Sequence, residues 1–144
     1  MMYTVKRCTQ HNLTPSDLTF IAESAEHLNG LYEKNYNWRK IDIKIFATLN
    51  YLTICYRDET PVGFLAATFY RAFFDREIFL LQQNVLFSKP NTRAALLLLR
   101  ELIDFGKCSA NDVITMLAKH TNIKPRSLER LGFRKFEELY RLEL

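Results

Sequence analysis

Apolar positions fall along this chain in blocks, and their spacing changes from block to block. Residues 3–8 form a short β-prone run that ends in a polar stretch, 9–14. Thr14-Pro15-Ser16-Asp17 is a helix-start signal with proline near the first turn, and the helix it opens is expected to reach about Asn29-Gly30. Over residues 38–49 the spacing of Ile41, Ile45 and Leu49, flanked by Ile43 and Phe46, predicts a second helix. The period then changes. Residues 51–56 are β-branched and aromatic, 57–60 are polar, and 61–69 are apolar again, which predicts a β-hairpin.

A further apolar run, 77–87, has the length and composition of a strand at the centre of a sheet. Loop residues 88–92 precede a helix over 93–107 that is apolar around much of its circumference, as a helix buried against a sheet should be. Residues 113–118 read as another buried strand. A short helix over 124–131 has Pro125 near its first turn and Gly132 as a left-handed cap. The segment 133–142 is expected to be a last strand, with Phe136, Leu139 or Tyr140, and Leu142 facing the core.

The order β, α, α, β, β, β, α, β, α, β describes a mixed α/β (α+β) domain: hairpin-connected strands plus one right-handed strand-helix-strand crossover. No repeat or glycine-rich linker divides it, so residues 1–144 are expected to be one domain. A chain of this length buries roughly 68–70% of its unfolded surface and needs neither disulfides nor a structural metal. Cys8, Cys55 and Cys108 are odd in number and widely spaced, which fits free thiols in a reducing compartment. The three histidines lack zinc-site spacing.

The longest uninterrupted apolar stretch, 94–99, is six residues against the ~20 needed to cross a bilayer, and the first residues lack a signal-peptide pattern. The expectation is a cytoplasmic protein with no membrane partner. A net charge of +4 favours an anionic ligand such as a nucleotide cofactor but is too small to indicate a nucleic-acid partner. Arg39, Lys40 and Lys44 read as a solvated helix face.

Two local stretches, together with the element order, resemble the GNAT superfamily of N-acetyltransferases. Residues 57–65, with Val62-Gly63-Phe64 after a polar turn, are similar to the family's approach to its third strand. Residues 127–133, ending Leu131-Gly132-Phe133, resemble its short fourth helix. The likeness spans the whole chain and implies a mostly antiparallel central sheet flanked by helices, with central strands that splay apart. The chain's brevity and altered loop are also similar to the compact, divergent members frequent in bacteriophage genomes.

The resemblance implies acetyl-CoA as co-substrate, its arm lying along the central strand at Val85, Leu86, Phe87 and Ser88. Its diphosphate would meet Lys89, Asn91, Thr92, Arg93, Ala94 and Ala95 at the start of the following helix. Free amides and the helix dipole attract an anion there, and the family's R/Q-x-x-G-x-G/A glycines let backbone approach it closely. This loop has no glycine, and a non-glycine residue held left-handed costs roughly 1–2 kcal/mol. Lys89 and Arg93 offer compensating charge.

Glu77 and Asp75, before the central strand, are the candidate bases for deprotonating an amine, and Asn122 is a further candidate contact to the arm. The family's usual tyrosine acid, four residues before the glycine of L-G-F, is Leu128 here. Two functions stay open. One is an acetyltransferase acting on an amine of a small molecule or protein, its pocket near Tyr36, Trp38, Arg39 and residues 70–76. The other is a catalytically inactive domain of this fold, working through a protein partner or as a homodimer.

Overall fold

The computed structural model describes residues 1–32, 38–73, 75–115, 123–136, 140, 142 and 144. The elements are β1 (Tyr3–Arg7), α1 (Pro15–Tyr32), α2 (Lys40–Leu49), β2 (Tyr51–Arg57), β3 (Thr60–Arg71), β4 (Phe79–Ser88), α3 (Ala94–Ser109), β5 (Asp112–Ile114) and α4 (Pro125–Arg130). They form one sheet in the order β1-β2-β3-β4-β5. The first four strands pair antiparallel, and β5 joins β4 in parallel after the α3 crossover. Among the described residues no helix is long and apolar enough to cross a membrane.

Alternation along β2 and β3 sends side chains to two separate cores. Cys55, Val62, Leu65 and Ala67 pack under α3 with Leu98, Leu99 and Leu102. Leu52, Ile54, Phe64 and Ala66 pack under α1 and α2 with Leu18, Ile21, Ile43 and Ala47. Burial raises the Cys8 thiol to about 12 and that of Cys55 to about 11, so both remain protonated packing groups. The β2–β3 hairpin turns on Asp58 and Glu59, both at positive φ, the geometry that matches strand twist. Hydrogen bonds between Asp58 and Met2 tie the chain's start to that turn.

Residue identity decides how closely α3 approaches the sheet. A Cβ at Gly63 on β3 would lie 2.8 Å from both the Ala94 Cβ and the Phe87 carbonyl oxygen, so only glycine admits the first turn of α3. At the other end of α3, a Cβ on Gly106 would collide with Val113 of β5. The helix is therefore seated at both ends by missing side chains.

The Thr14-Pro15-Ser16-Asp17 signal folds as a reciprocal cap on α1. The Asp17 amide donates to Thr14 Oγ1 at 3.1 Å, and the Thr14 amide donates to Asp17 Oδ2 at 3.0 Å. The same carboxylate, only 2% exposed, accepts from Lys6 Nζ at 2.6 Å and from the Tyr56 hydroxyl at 2.5 Å. Burial opposes its charge, but the hydrogen bonds from Lys6, Tyr56 and Thr14 outweigh that and hold its pKa below the usual carboxylate value. One side chain thus joins β1, α1 and β2.

Two expectations change. On α2 the period is helical, yet Ile41, Ile45 and Leu49 are exposed and Ile43 and Ala47 are buried. The inward face is chosen by aromatic packing: Phe46 stands 5.7 Å from Trp38, and Trp38 stands 6.1 Å from Phe64 of β3. In the last segment, residues 133–136 form no strand, and Phe136, Tyr140 and Leu142 are exposed rather than facing the core. An alternating pattern becomes a strand only where a partner ladder receives it, and none does so among the described residues. Leu139 and the rest of that segment lie outside them.

Gly63→Ala is expected to cost about 1–3 kcal/mol through overpacking and to lower the melting temperature by roughly 3–10 °C; an unchanged transition would mean that α3 is not seated on this contact. Asp17→Asn should cost about 2–3 kcal/mol at pH 7. Because the folded pKa is depressed, that contribution is present above the unfolded value of about 3.9 and disappears as pH falls through the folded one. Urea titrations of wild type and variant should therefore converge below about pH 4.

Candidate functional site

The site begins at the last described rung between β4 and β5. Their parallel ladder has three rungs, Leu80↔Asp112, Leu81↔Val113 and Gln82↔Ile114, and Thr115 is already outside the strand. On the β3 side, Ala67 pairs with Gln83 and Ala66 with Val85, so Asn84 is an extra residue facing no partner. Such a bulge bends a strand and sharpens its twist. β4 therefore turns just after the last described rung with β5 and runs on to Ser88 beside β3.

Side chains mark the same place. Gln83 is 2% exposed, and its Oε1 accepts a hydrogen bond from the Thr115 hydroxyl directly beyond the last rung. The Tyr70 hydroxyl donates to Gln82 Oε1 at 2.8 Å, and Asn84 is exposed at the bulge. Of these only Tyr70, within the bend 70–76, was singled out from the sequence. The available signal was the polar triplet Gln82-Gln83-Asn84 in the middle of an apolar run, which a fully buried strand cannot hold without partners or a bulge.

At its other end β4 enters the turn that opens α3. The Lys89 amide donates to the Val62 carbonyl at 2.8 Å, and the Thr92 hydroxyl donates back to the Lys89 carbonyl at 2.7 Å, with the Ser88 hydroxyl 3.3 Å from that of Thr92. Asn91 has φ 60°. The turn does require a left-handed residue, and asparagine, which tolerates that region best after glycine, supplies it. Among the described residues no side chain caps α3, and the Arg93 amide meets the Tyr3 hydroxyl at 3.4 Å.

The residues expected to hold a cofactor divide between surface and core. Asn91 and Arg93 are exposed at the turn and Thr92 is half-buried. Ala94 has no exposed surface and Ala95 almost none, because the Gly63 contact draws that first turn onto the sheet. The Lys89 ammonium lies 5.7 Å from the Phe20 ring, on the α1 side, where Pro15, Thr19, Glu23 and Pro61 help line a shallow groove of about 370 Å³. Leu86 is buried with the α3 core, and Val85 and Phe87 pack toward α1 and α2. Asn122 lies outside the described residues.

Asp75 and Glu77 are in the β3–β4 turn. Asp75 Oδ1 accepts from the Glu77 amide at 3.0 Å, and β4 starts only at Phe79. Six residues separate Glu77 from Gln83, which at strand rise is about 20 Å; the structure does not bring these carboxylates to the bulge. Leu128 packs against the α3 core. Beyond it Gly132, at φ 100°, closes α4 with paired bonds from the Gly132 amide to Glu129 and from the Phe133 amide to Leu128, the Schellman arrangement.

No family model and no curated protein matches the chain in sequence. Solved structures match it over its whole length. A transcriptional regulator from Bacillus halodurans C-125 superposes with a TM-score of 0.73 at 17% identity, covering 99% of this chain and 100% of the other. An aminoglycoside acetyltransferase from an uncultured soil metagenomic sample gives 0.71 at 15% identity, covering 100% and 99%. A possible acetyltransferase from Clostridium difficile 630 gives 0.65 at 12%, again covering 100% and 99%. The fold is that of the GNAT-type acetyltransferases. At these identities the likeness carries the architecture and says nothing of a phage origin.

Replacing Asn91 tests the turn. Asn91→Gly should leave stability nearly unchanged, whereas Asn91→Val, β-branched at a left-handed position, should cost about 1–2 kcal/mol. Urea midpoints with equal slopes would measure the difference, and an equally tolerated valine would show that this position is not held left-handed.

Proposed function

We propose that the chain is an N-acetyltransferase that moves an acetyl group from acetyl-CoA to an amine of a small molecule or protein. The observation that carries this reading is the turn: on an acetyltransferase fold, β4 leads directly into a start of α3 that no side chain caps among the described residues. A coenzyme arm lies along Val85–Ser88, and its diphosphate meets Asn91, Thr92 and the Arg93 guanidinium at the turn.

The turn fits this role in three respects and resists it in one. Its left-handed position is filled, no carboxylate caps the helix, and Arg93 is exposed for a two-pronged phosphate contact. Against it, Cβ atoms stand where glycines would admit the phosphates more closely, and Ala94 is withdrawn into the core. Binding is therefore weaker than a glycine loop would give, by about tenfold for each 1.4 kcal/mol of lost contact.

When bound, the coenzyme supplies a thioester, an acyl donor with a good leaving group. The chain's own residues position and solvate. Asn84 and the Tyr70–Gln82 pair offer neutral hydrogen-bonding groups to an acceptor. Leu128 has no proton to give, so the thiol, with a pKa of about 8.5, leaves as the thiolate. Asp75 and Glu77 stay at the hairpin turn, and the acceptor amine loses its proton to water.

Acetyl-CoA at 100 times its Kd should add ~2.7 kcal/mol and raise the melting temperature by several degrees. Arg93→Ala should reduce that shift. With water taking the amine's proton, thiol release with a lysine-like acceptor should rise about tenfold per pH unit between pH 6 and 8. Absence of any shift at millimolar coenzyme would rule the reading out in favour of an inactive domain of the same fold.

A further inference from the structure

The α2 helix is apolar on two opposite faces. Ile43 and Ala47 are buried in the core shared with α1, and the packing of Trp38, Phe46 and Phe64 fixes that side inward. The same rotation turns Ile41, Ile45 and Leu49 outward, where they are 55%, 52% and 72% exposed. Single exposed aliphatics are ordinary, but three of them spaced four residues apart make one stripe about 12 Å long on a ten-residue helix. A helix that is apolar on both sides has a face left for a second partner.

We infer that this stripe is where two copies of the chain pair, α2 against α2, antiparallel about Ile45. An interface between copies related by a two-fold axis must be its own complement, residue i meeting j where j meets i. The stripe has that property. Ile45 is at its centre and a large aliphatic residue stands four positions to either side, so Ile45 meets its own copy and Ile41 of each chain meets Leu49 of the other. Charge selects the direction. The start of α2 carries the exposed Lys40, whereas its last turn has no basic residue. Antiparallel pairing sets each lysine-bearing start alongside the negative end of the other helix; parallel pairing would set the two starts together. Lys44, beside the stripe's centre, comes near its own copy, a repulsion at the rim that solvent and salt reduce. Three side chains also fall short of the ~800 Å² per partner of a standard interface, so the dimer is a weak one that forms at high protein concentration.

Sedimentation equilibrium between about 10 and 500 µM should show the wild type passing from monomer to dimer. Ile45→Lys places two charges face to face on the axis and should weaken association at least about tenfold, with the urea midpoint and slope kept because the side chain is outside the core. Direction is read by crosslinking with a short bismaleimide in a Cys108→Ser background, which removes the exposed thiol and leaves Cys8 and Cys55 buried. Ile45→Cys should crosslink to itself, and Ile41→Cys mixed with Leu49→Cys should crosslink more than either does alone. A wild type that stays monomeric across the range would overturn the inference, as would a dimer that Ile45→Lys leaves intact. A monomer whose urea midpoint falls in Ile45→Lys would overturn it in favour of a covering segment of the same chain. Ile41→Cys crosslinking to itself as well as to Leu49→Cys would overturn the antiparallel pairing. None of these measurements contains coenzyme, so their failure leaves the proposed function standing.

Discussion

Gly63 has no side chain, and the fold depends on that. β3 is the strand that belongs to both cores, and the distance at which α3 crosses it decides whether the leucines of the helix reach the sheet. With Ala94 against Gly63 and Gly106 against Val113, the helix lies close at both ends, and Leu98, Leu99 and Leu102 are fully buried between them. The same contact places the start of α3 immediately after β4. Close packing and the functional turn are therefore one constraint: the helix cannot be lifted from the sheet without moving the amides that the turn presents.

The approach has a consequence for anion binding. Drawing the first turn onto the sheet withdraws Ala94 and Ala95 and leaves Asn91, Thr92 and Arg93 as the accessible part of the turn. A glycine-rich loop can wrap an anion with backbone on several sides; this one presents a shorter arc, rimmed by hydroxyls and one guanidinium. Charge and hydrogen bonding then compensate for close approach only in part. The other nearby cation, Lys89, is held over Phe20 on the opposite side of the sheet. In the proposed binding mode the diphosphate's charge partner at the turn is therefore Arg93.

Most of the architecture was legible because it rests on period and punctuation. The helix start at Thr14-Pro15-Ser16-Asp17, the polar hairpin turn and the Gly132 cap are local signals, and each folds as its chemistry demands. The face of α2 was not legible, since Ile41, Ile45 and Leu49 and the pair Ile43 and Ala47 are both helical stripes; the choice is made by Trp38, just before the helix, against Phe64, remote in sequence. Position 91 was hidden for a different reason: the loop's missing glycine drew attention, while the asparagine doing a glycine's work stood in plain view. The bulge was written in Gln82-Gln83-Asn84, but a run read for apolar content passes over three polar residues, two of which find their partners in Tyr70 and Thr115.

The arrangement also bears on which amines suit the proposed reaction. In the proposed reaction, where the acceptor gives its proton to water, the acceptor must arrive neutral, and the cost of deprotonation at pH 7 scales with its pKa at 1.36 kcal/mol per unit. A lysine side chain near 10.4 then starts about 4–5 kcal/mol uphill, whereas an α-amino group near 8 starts only about 1 kcal/mol uphill. Holding amine and thioester together can offset several kcal/mol through proximity alone, and the thiolate leaves without help. For a strongly basic amine much of that gain is consumed before bond formation begins. For a weakly basic one it remains available, so a site built from neutral amides, a phenol and a bulged strand is better matched to an acceptor of low basicity than to a lysine.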